Sequence, residues 1–440
     1  MADQMGGPHR INCRKLEEKR ISEAAAQHEL LYSGRAGGAR AVFAYCDLSG
    51  MDLSRLNLVD ADFTGACLDE TNFSESKLDS ACFAGASMNR ANMAGASLRR
   101  ADLRGASLVG ANLIGANLCE ADLRRGGGAR DARPTVIDDA AEDLKPTRLS
   151  MAMLSSANLE GAKMCGLEAV QADFSQAVLR HCDLSGARLG QTNLAGANLE
   201  CAILKGCDLF KADLHGSVLV GVKGDDAVFD DAITTGALTD AVAGKDVKDL
   251  PKSIEEILGA HRIWLETDGR EGQLADLSDV DLRTLTHLPR ANLNAILAPR
   301  ATLYGLNLSG AQLQGAQLDG ADLRFACLKG ANLRGANLKA AKLANADLRD
   351  ADLGPLWMSG DHLLRARLEN ADARYADFRG AELRLAVLDE ADLAYADLTG
   401  ANLRAANFRG TILQSTRLSL DATVEANFDE TRCDSAAVAV

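Results

Sequence analysis

The run Ala311-Gln-Leu-Gln-Gly315, Ala316-Gln-Leu-Asp-Gly320, Ala321-Asp-Leu-Arg-Phe325, Ala326-Cys-Leu-Lys-Gly330, Ala331-Asn-Leu-Arg-Gly335 is one five-residue pattern read five times. Leucine returns at every fifth position, two places after an alanine. That period matches neither the roughly 3.6-residue period of a helix nor the roughly 2-residue period of a strand. Fixed self-similarity marks a repeat architecture, in which a unit buries its apolar face only by stacking on its neighbours.

Write the central residue of a unit as i. Positions i−2 (Ala, less often Ser, Thr or Cys) and i (Leu, Phe, Met) are apolar, and the other three are polar or small. A short extended stretch points two side chains inward, and a turn follows at once. Asp or Asn at i−1 bonds its own backbone there, and glycine at i+2 tolerates unusual dihedrals. Four such turns predict a square coil of about twenty residues, with alternating small and large side chains filling a narrow shaft. Phe43, Phe63 and Phe83 are central residues one such coil apart, as are Phe408 and Phe428, while Phe73 and Phe174 lie outside those columns. Successive coils are expected to pair through their backbones at about 4.8 Å.

The pattern comes in three phased blocks. The first runs from Phe43 to Leu123, and segment 125–146, with Gly126-Gly127-Gly128 near its start and Lys145-Pro146 at its end, reads as a protruding loop. It is either a partner-binding excursion or a tolerated insertion. The second block resumes one residue displaced at Leu149 and decays past Val222, where Gly224, Thr234 and Thr239 hold central positions. The third restarts at Leu277, slips by one residue near His287-Leu-Pro289, and keeps its phase from Leu293 to Phe428. A helix is predicted before it: Ser253-Ile-Glu-Glu256 is a capping box, Ile254, Ile257, Leu258, His261 and Leu265 share a face, and Gly269 supplies the stop. A similar preface opens the chain, with Ile21, Ala24, Ala25, His28 and Leu31 on one face and Gly34 after them. Each preface has an isoleucine seven residues before a histidine, then Gly-Arg-x-Gly. The expected organisation is a tail and capping helix (1–40), a first array (41–235), a linker and capping helix (236–272), a second array (273–433) and a tail (434–440).

Composition narrows the function. A formal net charge of −14 opposes a general nucleic-acid binder, and aromatics at 4 % leave few stacking platforms. Arg324, Lys329, Arg334 and Lys339 at i+1 point outward over successive faces and make no single basic track, so direct nucleic-acid binding is not expected. No apolar run suits a membrane span, and the N-terminus lacks a secretory pattern. Eleven cysteines without CxxC or framework spacing suit a reducing cytoplasm, with Cys46, Cys182 and Cys207 at alanine positions as small hydrophobes.

Catalytic signatures are missing. His9, His28, His181, His215, His261, His287 and His362 form no HExxH and no zinc spacing with cysteine. His181 and His215 read as solvated surface groups, His28 and His261 as packing groups on the helix faces. There is no P-loop, GxSxG or dinucleotide fingerprint. A convex wall offers no cleft for a carboxylate pair. No enzyme activity, cofactor or metal is expected. Asp352, Asp372 and Asp392 are spaced by twenty and are expected to stack in one column, with Asp377 and Asp397 in a second. They are either an acidic strip for a basic partner or turn-forming aspartates offset by Arg365, Arg367, Arg374, Arg379 and Arg384. Trp264 either caps the open end of the second array or anchors another protein.

The Ala-Asp/Asn-Leu-x-x units resemble the pentapeptide repeat family. That resemblance implies an all-β solenoid, a right-handed quadrilateral β-helix, here as two tandem arrays each preceded by a short α-helix. It implies a non-catalytic scaffold that binds a protein partner. The alternative it implies is a DNA mimic that regulates or protects a topoisomerase or another DNA-binding enzyme. The chain departs from such mimics in its length, its internal helix and its C-terminal tail, Ser435-Ala-Ala-Val-Ala-Val440, which holds no amphipathic dimer helix.

Overall fold

The computed structural model describes residues 13–127, 144–285, 288, 290–358, 362–419 and 425–432. The expectations resting on His9, His287-Leu-Pro289, most of loop 125–146 and the C-terminal tail therefore fall wholly or partly outside the described residues. The chain divides into two compact units, Met1–Ala241 and Val242–Val440. Each has its own apolar core of stacked alanines and leucines, and each is a β-helix type of solenoid.

One unit shows how the backbone is satisfied. Leu313 N donates to Asn332 O at 2.8 Å, Gly315 N to Arg334 O at 3.0 Å, and Asn332 N back to Ala311 O at 2.9 Å. A fourth bond, Ala316 N to Leu313 O at 3.1 Å, closes the turn. Parallel bridges join residues one coil apart, as in Gln312↔Asn332↔Asp352. The ladder leaves few orphan polar groups along the wall. At i−1 the carboxylate takes the N–H of i+1, as Asp52 Oδ1 does from Ser54 N at 3.0 Å. At i+2 the chain adopts positive φ, even where the residue is Glu390 (φ 58) or Tyr375 (φ 59). The turn imposes that conformation, and glycine there only lowers its cost.

In the first unit, helix α1 (Glu18–Tyr32) follows strand β1 (Arg14–Lys15), which pairs in parallel with β2 (Cys46–Asp47). Phe43, Phe63 and Phe83 stack in one column, with centroids 5.3 and 4.9 Å apart. Phe73, from another side of the coil, meets Phe63 and Phe83 edge-on. The antiparallel strands β3 (Gly126–Gly127) and β4 (Leu144–Lys145) form the neck of the 125–146 excursion. Thr147 then takes an alanine place, its hydroxyl donating to Leu103 O and accepting from Gly105 N. The stack continues unbroken, Ser107 bridging Arg148. Beyond Val222 the backbone bridges persist to Val218↔Leu238, although Thr234 and Thr239 are exposed. Backbone pairing there outlasts the apolar pattern.

In the second unit, strand β5 (Lys245–Asp246) pairs with β6 (Val280–Asp281), and helix α2 (Ile254–Glu266) carries the full capping box between Ser253 and Glu256. Ile254 is buried, and Ile257 and Leu258 pack on the core. Beneath them lies an apolar cavity of about 20 Å³ lined by Ile254, Leu258 and leucines of the first coils.

A ten-residue excursion interrupts this array. Strands β7 (Leu356–Trp357) and β8 (Leu363–Leu364) pair antiparallel, and Asn337 bridges Arg367 instead of Trp357. The hairpin lies on the wall because Gly335 has no Cβ: one placed there would stand 2.9 Å from Leu356 Cβ. Arg334, expected to point freely outward, donates from Nε and Nη2 to Pro355 O at 3.0 and 2.8 Å. Replacing Arg334 with Ala is therefore expected to cost about 1 kcal/mol rather than the near-zero of a free surface site. Limited proteolysis should then cut within the hairpin, and unchanged resistance would show that the arginine does not hold it.

Candidate functional site

The excursion rearranges the acidic columns. Ten residues are two repeat units, so the five-residue phase survives while the stacking shifts. Asp352 bridges Glu382, not Asp372. The expected column of Asp352, Asp372 and Asp392 is thereby corrected: Lys342, Asp372, Asp392 and Ile412 form one column, and Asn332, Asp352, Glu382 and Asn402 another. Asp377 and Asp397 do stack, preceded by Asp347.

Arginines on the same turns meet these carboxylates. Arg374 Nε and Nη2 donate to Asp372 at 2.7 Å each, and Nε lies 3.6 Å from Asp392. Arg379 holds Asp377 at 2.9 and 2.6 Å, with Arg349 3.6 Å away. Asp397 sits 3.7 Å from Arg417 and 4.0 Å from Arg379, and Asp352 sits 3.9 Å from Arg334. The fork of Arg on Asp two residues earlier recurs at Asp102–Arg104, Asp122–Arg124, Asp281–Arg283, Asp322–Arg324 and Asp347–Arg349. Such pairing is geometrically specific and cancels the field a bare ladder would cast. Burial pushes the Asp392 carboxyl above its usual range, Ala394 N–H and Arg374 pull it down, and Asp372 adds to the rise. Burial and Glu369 push Asp389 up as well.

Trp264 is half-buried on α2. Its indole lies parallel to the His261 ring, centroids 6.2 Å apart, and presses on Gly269 after the helix. It packs on its own helix and the turn that follows. Among the described residues several large apolar side chains are exposed, Met151 and Val42 on the first unit included; Trp357, 63 % exposed, and Met358, 53 % exposed, stand side by side on the hairpin. A signal was present: Gly354-Pro355 in one unit, and Leu356 and then Asp361 where the following two units need alanine.

His28 and His261 occupy equivalent places. His28 is fully buried, and its Nδ1 accepts Ala41 N–H at 3.0 Å; His261 is fully buried, and its Nδ1 accepts Ala275 N–H at 3.3 Å. Both donors sit at the i−2 position of a first repeat, so each helix ties itself to the coil it covers. Burial lowers both imidazoles below the usual histidine range. His181, His215 and His362 are exposed. Among the described residues no group of three or more metal-ligating side chains converges. A depression of about 480 Å³ near the excursion neck is lined by Arg100, Asp102, Arg104, Glu120, Asp122, Gly161 and Lys163, with both signs of charge interspersed. Among the described residues no helix is long and apolar enough to cross a membrane.

Comparison with known proteins follows the repeat. The family described as "Pentapeptide repeat region" matches residues 39–113. "Pentapeptide repeats (8 copies)" matches 172–209, 287–324, 300–335, 316–354, 362–389 and 386–420. The chain is similar to a solved pentapeptide repeat protein, Rfr23, from the cyanobacterium Cyanothece 51142. The identity is 33 %, over 30 % of this chain and 86 % of that one, with a TM-score of 0.24. A pentapeptide repeat protein of the Arabidopsis thaliana thylakoid lumen is 32 % identical over 25 % of this chain and 69 % of its own, with a TM-score of 0.22. QnrB1, a plasmid-mediated fluoroquinolone resistance protein, is 17 % identical over 45 % of this chain and 92 % of its own, with a TM-score of 0.29. No curated protein matches the chain.

Proposed function

The chain belongs to the pentapeptide repeat family, and from that premise we propose that it is a non-catalytic scaffold that binds a protein partner. We propose further that its coils wind as right-handed quadrilateral β-helices, in two capped arrays (41–235 and 273–433) that arose by duplication, and that it works in the cytoplasm. The observation that carries the binding role is the hairpin of the second unit. It holds Trp357 and Met358 in solvent on a base fixed by Arg334 and Gly335. An aromatic and a methionine on a pre-ordered support give large contact area for little ordering cost. Asp352, 3.9 Å from Arg334 at the hairpin base, would belong to the polar rim of that contact, with Asp372, Asp377, Asp392, Asp397 and Trp264 as further candidate partner-binding residues.

A DNA mimic needs a continuous unpaired acidic ladder, and arginine forks interrupt this one. The scaffold reading is therefore preferred. The test is affinity capture with mass spectrometry on the wild type and on a Trp357→Ala/Met358→Ala variant. A partner retained by the wild type and reduced at least about tenfold by the variant, a loss of roughly 1.4 kcal/mol, is expected. Equal capture by both would reject the hairpin as the binding element. A gyrase supercoiling assay altered by wild type, and restored by neutralising Asp377 and Asp397, would favour mimicry instead.

A further inference from the structure

Cys13 and Cys67 lie far apart in sequence and touch in the fold. Cys13 immediately precedes β1, which adds in parallel to β2 with Arg14 opposite Cys46. Asp47, the next residue of β2, bridges Cys67 on the coil ahead. This lateral addition sets the Cys13 sulfur 2.7 Å from the Cys67 sulfur, and Cys13 Sγ also reaches Gly65 O at 3.7 Å. Both residues are only part-buried, so a small oxidant can approach. We propose that Cys13 and Cys67 form a reversible intrachain disulfide that locks the N-terminal strand onto the wall of the first unit.

The oxidant is a low-molecular-weight disulfide such as oxidised glutathione. Burial, followed by the contact with Cys13, pushes the Cys67 thiol up to about 12, which disfavours its thiolate as the attacking group. The Cys13 thiolate attacks one glutathione sulfur, forming a mixed disulfide and expelling one glutathione thiolate. Cys67 then gives its proton to solvent and attacks the Cys13 sulfur, releasing the second glutathione. Two thiols lose two electrons, and one glutathione disulfide gains them. The bond would close a loop of about fifty residues around β1, α1 and the first coil, and it would restrict opening of that edge.

The full chain is incubated with oxidised glutathione, alkylated with N-ethylmaleimide, digested and read by mass spectrometry. A peptide linking Cys13 to Cys67 is expected, reversed by dithiothreitol. The melting temperature of the oxidised protein should rise by roughly 5–10 °C. Cys13→Ser should remove both the linkage and the rise while leaving the circular dichroism spectrum of the reduced protein unchanged. Alkylation of both residues after oxidation, or linkage of Cys13 mainly to Cys46, would overturn the assignment. The linkage without a thermal shift would overturn the locking role.

Discussion

Leu338→Ala is expected to destabilise the second unit by about 2–5 kcal/mol, measured as a lower urea midpoint by circular dichroism. Leu338 is fully buried, and its N–H donates to Arg367 O at 2.7 Å. Asn337 beside it bridges Gln317 behind and Arg367 ahead. Leu318 and Leu368 therefore hold the equivalent places in the neighbouring coils, and both are buried. The backbone ladders fix the coil spacing, so the wall cannot close on the void, which places the cost in the upper part of that range. The loss also weakens the interface between stacked coils, and an array's stability is close to a sum of such terms. Lys339→Ala, at an exposed position one residue on, is the control and should change stability by less than about 0.5 kcal/mol. Equal effects from the two substitutions would refute the assignment of inward and outward sides.

That contrast was legible in the residues alone because a five-residue period assigns every position a side. Ala311 through Leu333 needed no more than counting. The stacking order was less secure. A pattern that repeats every five residues cannot register an insertion of ten, so Asp352 reads as a neighbour of Asp372 when Glu382 takes that place. The 125–146 excursion, by contrast, betrayed itself by shifting the phase by one. Arg334 shows a related limit: its outward direction followed from the pattern, but its bond to Pro355 depends on a hairpin packed over Gly335. Cys13 and Cys67 meet only because β1 joins the sheet edge, and spacing carries no trace of that.

The largest pH effect is expected from the two caps. Wild-type melting temperature should fall as pH drops from 7.5 to 5.5, and His28→Gln/His261→Gln should flatten that fall. In the folded chain both imidazoles are held neutral, chiefly by burial. At His28 the Val59 backbone, Glu29 and Asp60 act the other way, while Arg40 adds to the lowering; at His261 the Asn294 backbone opposes it. In the unfolded chain each takes up a proton near pH 6.5. The unfolded state thus binds more protons in this window, so stability is complete above roughly pH 6.5 and declines as pH falls toward the lowered folded value. Asp389 and Asp392, whose carboxyls are raised chiefly by burial, act with the opposite sign, and because they are present in both wild type and double variant their contribution cancels in the comparison. Protonation at Nδ1 also removes the acceptor for Ala41 N–H or Ala275 N–H. His28→Ala, which leaves that buried donor bare and opens a void, should cost about 2–4 kcal/mol at pH 7.5. A cap so loosened exposes Ile21 and the pairing edge of the first coil, so the variant should bind more of a hydrophobic dye and aggregate faster than Leu338→Ala at equal loss of stability. A pH profile identical for wild type and double variant would show that the histidines pack without gating the caps.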